Sequence, residues 1–85
     1  MHIINWTKKA KKQLVPIPRQ DVERILDAVE SLAQWPDVAN VKALSGRDDY
    51  RLRIGRYRVI FKVTIGGEAT VMLIEEVKKR DEHTY

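Results

Sequence analysis

The chain has 85 residues, with 16 Lys and Arg against 12 Asp and Glu for a formal charge of +4, 44% hydrophobic and 33% charged residues, and no cysteine. This is the size of one small domain, 1–85, globular in composition and biased towards polyanions, and it excludes a disulfide framework and cysteine-based zinc sites. No apolar run nears the roughly 20 residues of a membrane-spanning helix, and the start Met1-His-Ile-Ile-Asn-Trp6 lacks a secretion signal, so a soluble cytoplasmic protein without a membrane partner is expected.

In chain order, His2–Trp6 is short, β-branched and aromatic, and reads as a first strand. Thr7 supplies an N-cap for a helix running through Val15. Ala10 and Leu14 lie four apart on it, with Lys8, Lys9, Lys11 and Lys12 around them. Pro16-Ile17-Pro18 breaks that helix, because proline brings no N–H to the ladder. A second helix from about Pro18 to Gln34 carries Val22, Ile25, Leu26, Val29, Leu32 and Ala33 as one apolar stripe at helical spacing. Trp35-Pro36-Asp37 ends it, and a connector through Val41, Ala43 and Leu44 leads to a turn at Ser45–Asp49. Three strands follow, about 50–55, 57–65 and 69–77. Gly55-Arg56 suits a two-residue turn with glycine first, and Gly66-Gly67 supplies the next tight connection. The expected fold class is α+β: an N-terminal strand, a two-helix hairpin and a three-stranded antiparallel meander, with the helices on one face of a four-stranded sheet.

The hairpin Tyr50–Phe61 carries the strongest chemical signal. A turn at Gly55-Arg56 pairs Ile54 with Tyr57, Arg53 with Arg58 and Arg51 with Ile60. Side chains alternate along a strand, so Tyr50, Leu52, Ile54, Tyr57, Val59 and Phe61 share one face, and Arg51, Arg53 and Arg58 the other. Like charges placed directly opposite each other destabilise a sheet. Two readings stand. One is a solvated face, the usual fate of charged alternate positions; the other is an electropositive site whose guanidinium forks take phosphate oxygens. The exclusive use of arginine, the cross-strand placement and Arg80 beyond the following strand speak for the second.

Depending on the register across Gly66-Gly67, Glu75 or Glu76 faces Arg58, as a structural salt bridge or as a general base. Arg80, His83 and Tyr85 form a further group. Histidine titrates near neutrality, and tyrosine can donate a hydrogen bond or act as a base beside cations; a frayed basic terminus is the plain alternative. Lys8, Lys9, Lys11 and Lys12, with Lys78 and Lys79, are either solvated or extend contact along an RNA backbone. Trp6, Trp35 and Tyr50 read as core or core-edge residues. His2 and His83 lie far apart and make a poor metal site, so no metal and no cofactor are expected.

Lys42-Ala-Leu-Ser-Gly46, the stretch Tyr50–Phe61 and the ending Val77-Lys-Lys-Arg-Asp-Glu-His-Thr-Tyr85 together resemble the RelE/ParE toxin superfamily, the toxin halves of type II toxin–antitoxin pairs. The likeness covers nearly the whole chain. In its RelE branch it implies a metal-independent endoribonuclease that cuts mRNA in the ribosomal A site, where the substrate's own 2′-hydroxyl attacks the adjacent phosphate. On that likeness Arg51 and Arg53 fall where RelE carries lysines, Arg58 matches the arginine of its Tyr-Arg motif, and Arg80 matches the arginine after its last strand. Tyr85 matches its catalytic tyrosine, and His83 with Tyr85 is similar to the histidine–tyrosine ending of YoeB. Arginines hold their protons too tightly to be acids or bases, which leaves Arg51, Arg53 and Arg58 to bind phosphate and stabilise the transition state. The resemblance also implies a cognate antitoxin, the ribosome and mRNA as partners, and a higher toxin–antitoxin assembly on operator DNA through the antitoxin. The ParE branch shares the fold but poisons DNA gyrase. A non-catalytic RNA-binding module is the other alternative.

Overall fold

The computed structural model describes residues 2–44 and 49–79. In chain order come β1 (His2–Trp6), α1 (Lys8–Leu14), α2 (Arg19–Glu30) with a 3-10 turn over Ser31–Gln34, β2 (Val41–Ala43), β3 (Asp49–Ile54), β4 (Tyr57–Gly66) and β5 (Ala69–Lys79). The strands form one sheet in the order β1-β5-β4-β3-β2. β1 runs parallel to β5, and the other pairs are antiparallel. The α+β arrangement is the expected one, with five strands in place of four.

The extra strand is β2, anticipated as part of a connector. Val41, Lys42 and Ala43 pair with Leu52, Arg51 and Tyr50. Three residues are too few to show a period. They become a strand because the outer edge of β3 offers backbone groups that need partners.

Both helices start where expected. The Thr7 hydroxyl accepts the Ala10 N–H at 3.1 Å, which satisfies one of the free donors at the start of α1. The stripe on α2 is narrower than its sequence suggests: Ile25, Val29 and Leu32 are buried, while Leu26 is 39% exposed and Ala33 is exposed. The inner side of the sheet supplies Leu52, Tyr57, Val59, Phe61, Met72, Ile74 and Val77, which close the core with Ala10 and the α2 residues. Trp6, Trp35 and Tyr50 pack at its margin as expected. The Trp35 ring meets Tyr50 and Phe61 edge-on at centroid distances of 4.8 and 5.8 Å, and Tyr50 stacks on Phe61 at 5.6 Å. Such pairs add to area burial.

The β4–β5 connection departs from the expected Gly66-Gly67 turn. Gly66 still pairs with Ala69, so the turn falls on Gly67-Glu68, with Gly67 at φ +54°. That conformation is open to glycine and strained for other residues. A bulge between Ile60 and Phe61 shifts the register again. The combined effect places Arg58 opposite Lys78, and Ile60 opposite Glu76. Neither glutamate faces Arg58, contrary to both registers considered from the sequence.

The bulge lies where β1 ends. Beyond Trp6, the Thr7 N–H donates to the Ile74 carbonyl at 3.0 Å, the Thr7 hydroxyl donates to the Glu75 carbonyl at 3.1 Å, and the Val77 N–H donates to Gln13 Oε1 at 2.6 Å. Thus α1 takes over the β5 edge and satisfies backbone groups that β1 no longer reaches.

Candidate nucleic-acid interface

The helices cover one face of the sheet and leave the other open. Across a sheet, paired residues project to the same side, and neighbouring strands lie about 4.8 Å apart. Nearest the β3–β4 turn, Arg53, Arg58 and Lys78 stand in one cross-strand row. The next row holds Lys42, Arg51, Ile60 and Glu76. Asp49 and Lys62 pair in the row beyond. The hairpin register is the one read from the sequence, Ile54–Tyr57, Arg53–Arg58 and Arg51–Ile60. Lys78 extends the like-charge row to three members. Lys42, overlooked as a charge on this face, adds a fifth cation, beside Arg51. Its only signal was the β2 pairing, which lies outside any local pattern.

Arg51 and Arg53 have no ion-pair partner among the described residues. Glu76 is spent differently: Lys9 Nζ pairs with its Oε1, and Lys78 Nζ lies 3.2 Å from its Oε2. These two lysines hold the Glu76 carboxyl below its ordinary range. Lys9 is therefore brought to the open face, whereas Lys8, Lys11 and Lys12 stand exposed on α1 without ion pairs among the described residues. Lys79 points away from this group and lines a cavity on the helical side. Arg80, His83 and Tyr85 lie outside the described residues.

Glu75, the neighbour in the bulge, has a contrasting environment. Burial and a hydrogen bond with the Asp49 side chain push its carboxyl above the ordinary 4.5, against a smaller opposing pull from Lys62. The Glu75 Oε1 atom is buried without a partner. Thr7, Lys9, Asp49, Ile60, Glu75 and Glu76 line a shallow cavity of about 290 Å³ around it. This carboxyl pair was not legible in sequence, because it depends on the bulge. The open face thus offers the guanidinium groups of Arg51 and Arg53 for phosphate and, next to them, the Glu75 carboxyl held above its ordinary range. No group of three or more metal-ligating side chains occurs among the described residues, and no helix is long and apolar enough to cross a membrane.

A family model described as the ParE toxin of the type II toxin–antitoxin system parDE matches residues 4–83. The archaeal RelE of the RelE–RelB complex from Pyrococcus horikoshii OT3 is similar in structure, at 28% identity and a TM-score of 0.77, covering 95% of this chain and 97% of that one. The isolated RelE toxin of E. coli shares the fold at 17% identity and a TM-score of 0.78, with 96% and 87% covered. The toxin of the RelBE2 complex from Mycobacterium tuberculosis does so at 22% identity and 0.75, with 92% and 96% covered. No curated protein matches the chain.

Proposed function

The chain belongs to the ParE toxin family of type II toxin–antitoxin systems, and from that premise we propose that it is a cytoplasmic, metal-independent endoribonuclease that cuts mRNA on the ribosome. The observation that carries this reading is the row Arg53–Arg58–Lys78 with Arg51 beside it, two of whose arginines have no ion pair among the described residues. A sheet that gathers cations at the cost of mutual repulsion gains when an anion binds between them.

In the proposed reaction the substrate's 2′-oxygen bonds to the adjacent phosphorus and the P–O5′ bond breaks. The 2′-hydroxyl proton passes to a base, and the 5′-oxygen leaves with a proton from an acid, giving a cyclic phosphate and a 5′-hydroxyl end. Arg51, Arg53 and Arg58 bind the phosphate and stabilise the charge that grows on its oxygens, which preorganised donors do without reorganising. Arg80 serves the leaving side, and His83 and Tyr85 move the protons. Lys9 and Lys78, then Lys8, Lys11, Lys12 and Lys79, extend contact along the RNA backbone. A cognate antitoxin holds the toxin inactive by laying an acidic, amphipathic segment over the arginine face, and carries the pair onto operator DNA.

Purified protein incubated with programmed ribosomes, followed by mapping of mRNA ends, tests this reading. Codon-positioned cuts are expected, with a loss of about a hundredfold or more in Arg58→Ala. The description of the matching family favours one rival, the gyrase inhibitor of the ParE kind. Intact mRNA together with blocked gyrase supercoiling would establish that rival, and salt-sensitive RNA binding without any cut would mark a plain binding module.

A further inference from the structure

Behind the tip of the arginine hairpin, on the helix-covered side of the sheet, lies a cavity of about 480 Å³. Three cations reach it from three separate elements: Arg24 from α2, Arg56 from the β3–β4 turn and Lys79 from the last described position of β5. None of the three has an ion-pair partner among the described residues. The carboxylate in the wall, Asp21, accepts the Tyr57 hydroxyl at 3.1 Å. Tyr57 is a buried core residue, so that bond ties Asp21 to the wall and occupies one of its oxygens. Three positive charges against one negative remain around the opening.

The turn itself makes room for them. Gly55 has φ +54°, and a Cβ there would lie 3.8 Å from Arg24 Nη2. The Arg24 guanidinium therefore stands over a backbone without a side chain, beside Arg56. Separate elements that converge like charges on one concavity lose Coulomb energy until an anion occupies it. Two guanidinium forks match the oxygens of a phosphate better than a single carboxylate, and the volume admits more than one phosphate group, within the range of small-ligand sites.

We propose that this cavity is a second phosphate-binding site, taking a phosphate of an RNA backbone or of a nucleotide on the side of the hairpin opposite Arg51, Arg53 and Arg58. It stands whether or not the chain cleaves RNA, because Arg24 and Arg56 have no part in the proposed reaction and Lys79 points away from the arginine row.

The test uses the isotopically labelled full chain carrying Arg51→Gln and Arg53→Gln, which weakens the open face. Inorganic phosphate, adenosine monophosphate and a short oligoribonucleotide with hydroxyl ends are titrated in turn at millimolar concentrations, and amide shifts are followed by NMR. Saturable shifts at Gly55, Arg56 and Tyr57 are expected. Adding Arg24→Gln and Arg56→Gln should weaken binding at least tenfold, and Lys79→Gln should weaken it to a lesser degree, whereas Arg24→Lys should retain part of it. Tighter binding of the oligoribonucleotide identifies a backbone diester as the source, and tighter binding of the monophosphate a free nucleotide. Absence of saturable shifts at Gly55–Tyr57 with all three probes, or undiminished binding in the Arg24/Arg56 variant, overturns the proposal.

Discussion

Burial and the facing Asp49 carboxylate hold Glu75 above the ordinary 4.5, whereas Lys9 and Lys78 hold Glu76 below it. The two neighbours therefore couple folding to pH in opposite senses. For Glu76 the folded chain binds fewer protons than the unfolded one. Its contribution is present at neutral pH and is lost as pH falls through its lowered value. For Glu75 the folded chain binds more protons. Its contribution is full below the ordinary value and is lost as pH rises through the raised one. Glu75→Gln keeps the shape and removes the ionisation, so it should raise the urea midpoint at pH 8 and bring no gain at pH 4. Glu76→Gln should cost about 0.5–1 kcal/mol at neutral pH, the range of a partly exposed ion pair, and nothing in strong acid. A Glu75→Gln variant that loses stability at pH 8 would mean that the carboxylate is ionised there and paired with Lys62.

At the scale of elements, the joint between β1, α1 and β5 is the part that local rules describe least. β1 ends at Trp6, and the β5 backbone beyond Ile74 depends on Thr7 and Gln13 for its partners. Gln13→Leu removes the acceptor of the Val77 N–H and should cost about 1–3 kcal/mol, since a part-buried donor is left unpaired. Hydrogen exchange at Val77 should quicken beyond the change expected from global stability, and Gln13→Glu, which keeps an acceptor, should restore protection. Equal exchange in all three chains would show that the bond does no structural work. The hairpin register was legible because a glycine turn fixes pairing within a dozen residues, and the helices were legible because their stripes repeat locally. The β4–β5 register was not, since Glu68 occupies a turn position that its side chain does not advertise. β2 and the Asp49–Glu75 pair escaped for a related reason: each forms only through strands brought together from a distance.

Over the whole molecule, the sheet divides its work by face. Phe61 lies at the centre of the inner face, fully buried against Trp35 and Tyr50, and Arg51, Arg53, Arg58 and Lys78 stand on the outer one. A domain of this size has about 4–13 kcal/mol of stability in total. Phe61→Ala should remove about 3–5 kcal/mol of it, lowering the urea midpoint steeply and reducing function through the folded fraction. Arg53 should behave in the opposite way. It is exposed, faces Arg58 across the hairpin with Lys78 one strand further, and has no ion pair among the described residues. If the row is kept for binding an anion at the expense of the sheet, Arg53→Gln should stabilise the fold by about 0.2–1 kcal/mol. The gain should be larger at low salt, where repulsion is less screened, while RNA affinity falls and its salt dependence loses about one phosphate contact. Urea melts at two ionic strengths, set beside RNA titrations on the same chains, read both quantities. A destabilised Arg53→Gln at low salt would show that the arginine supports the sheet, and the inference from repulsion to anion binding would fail with it.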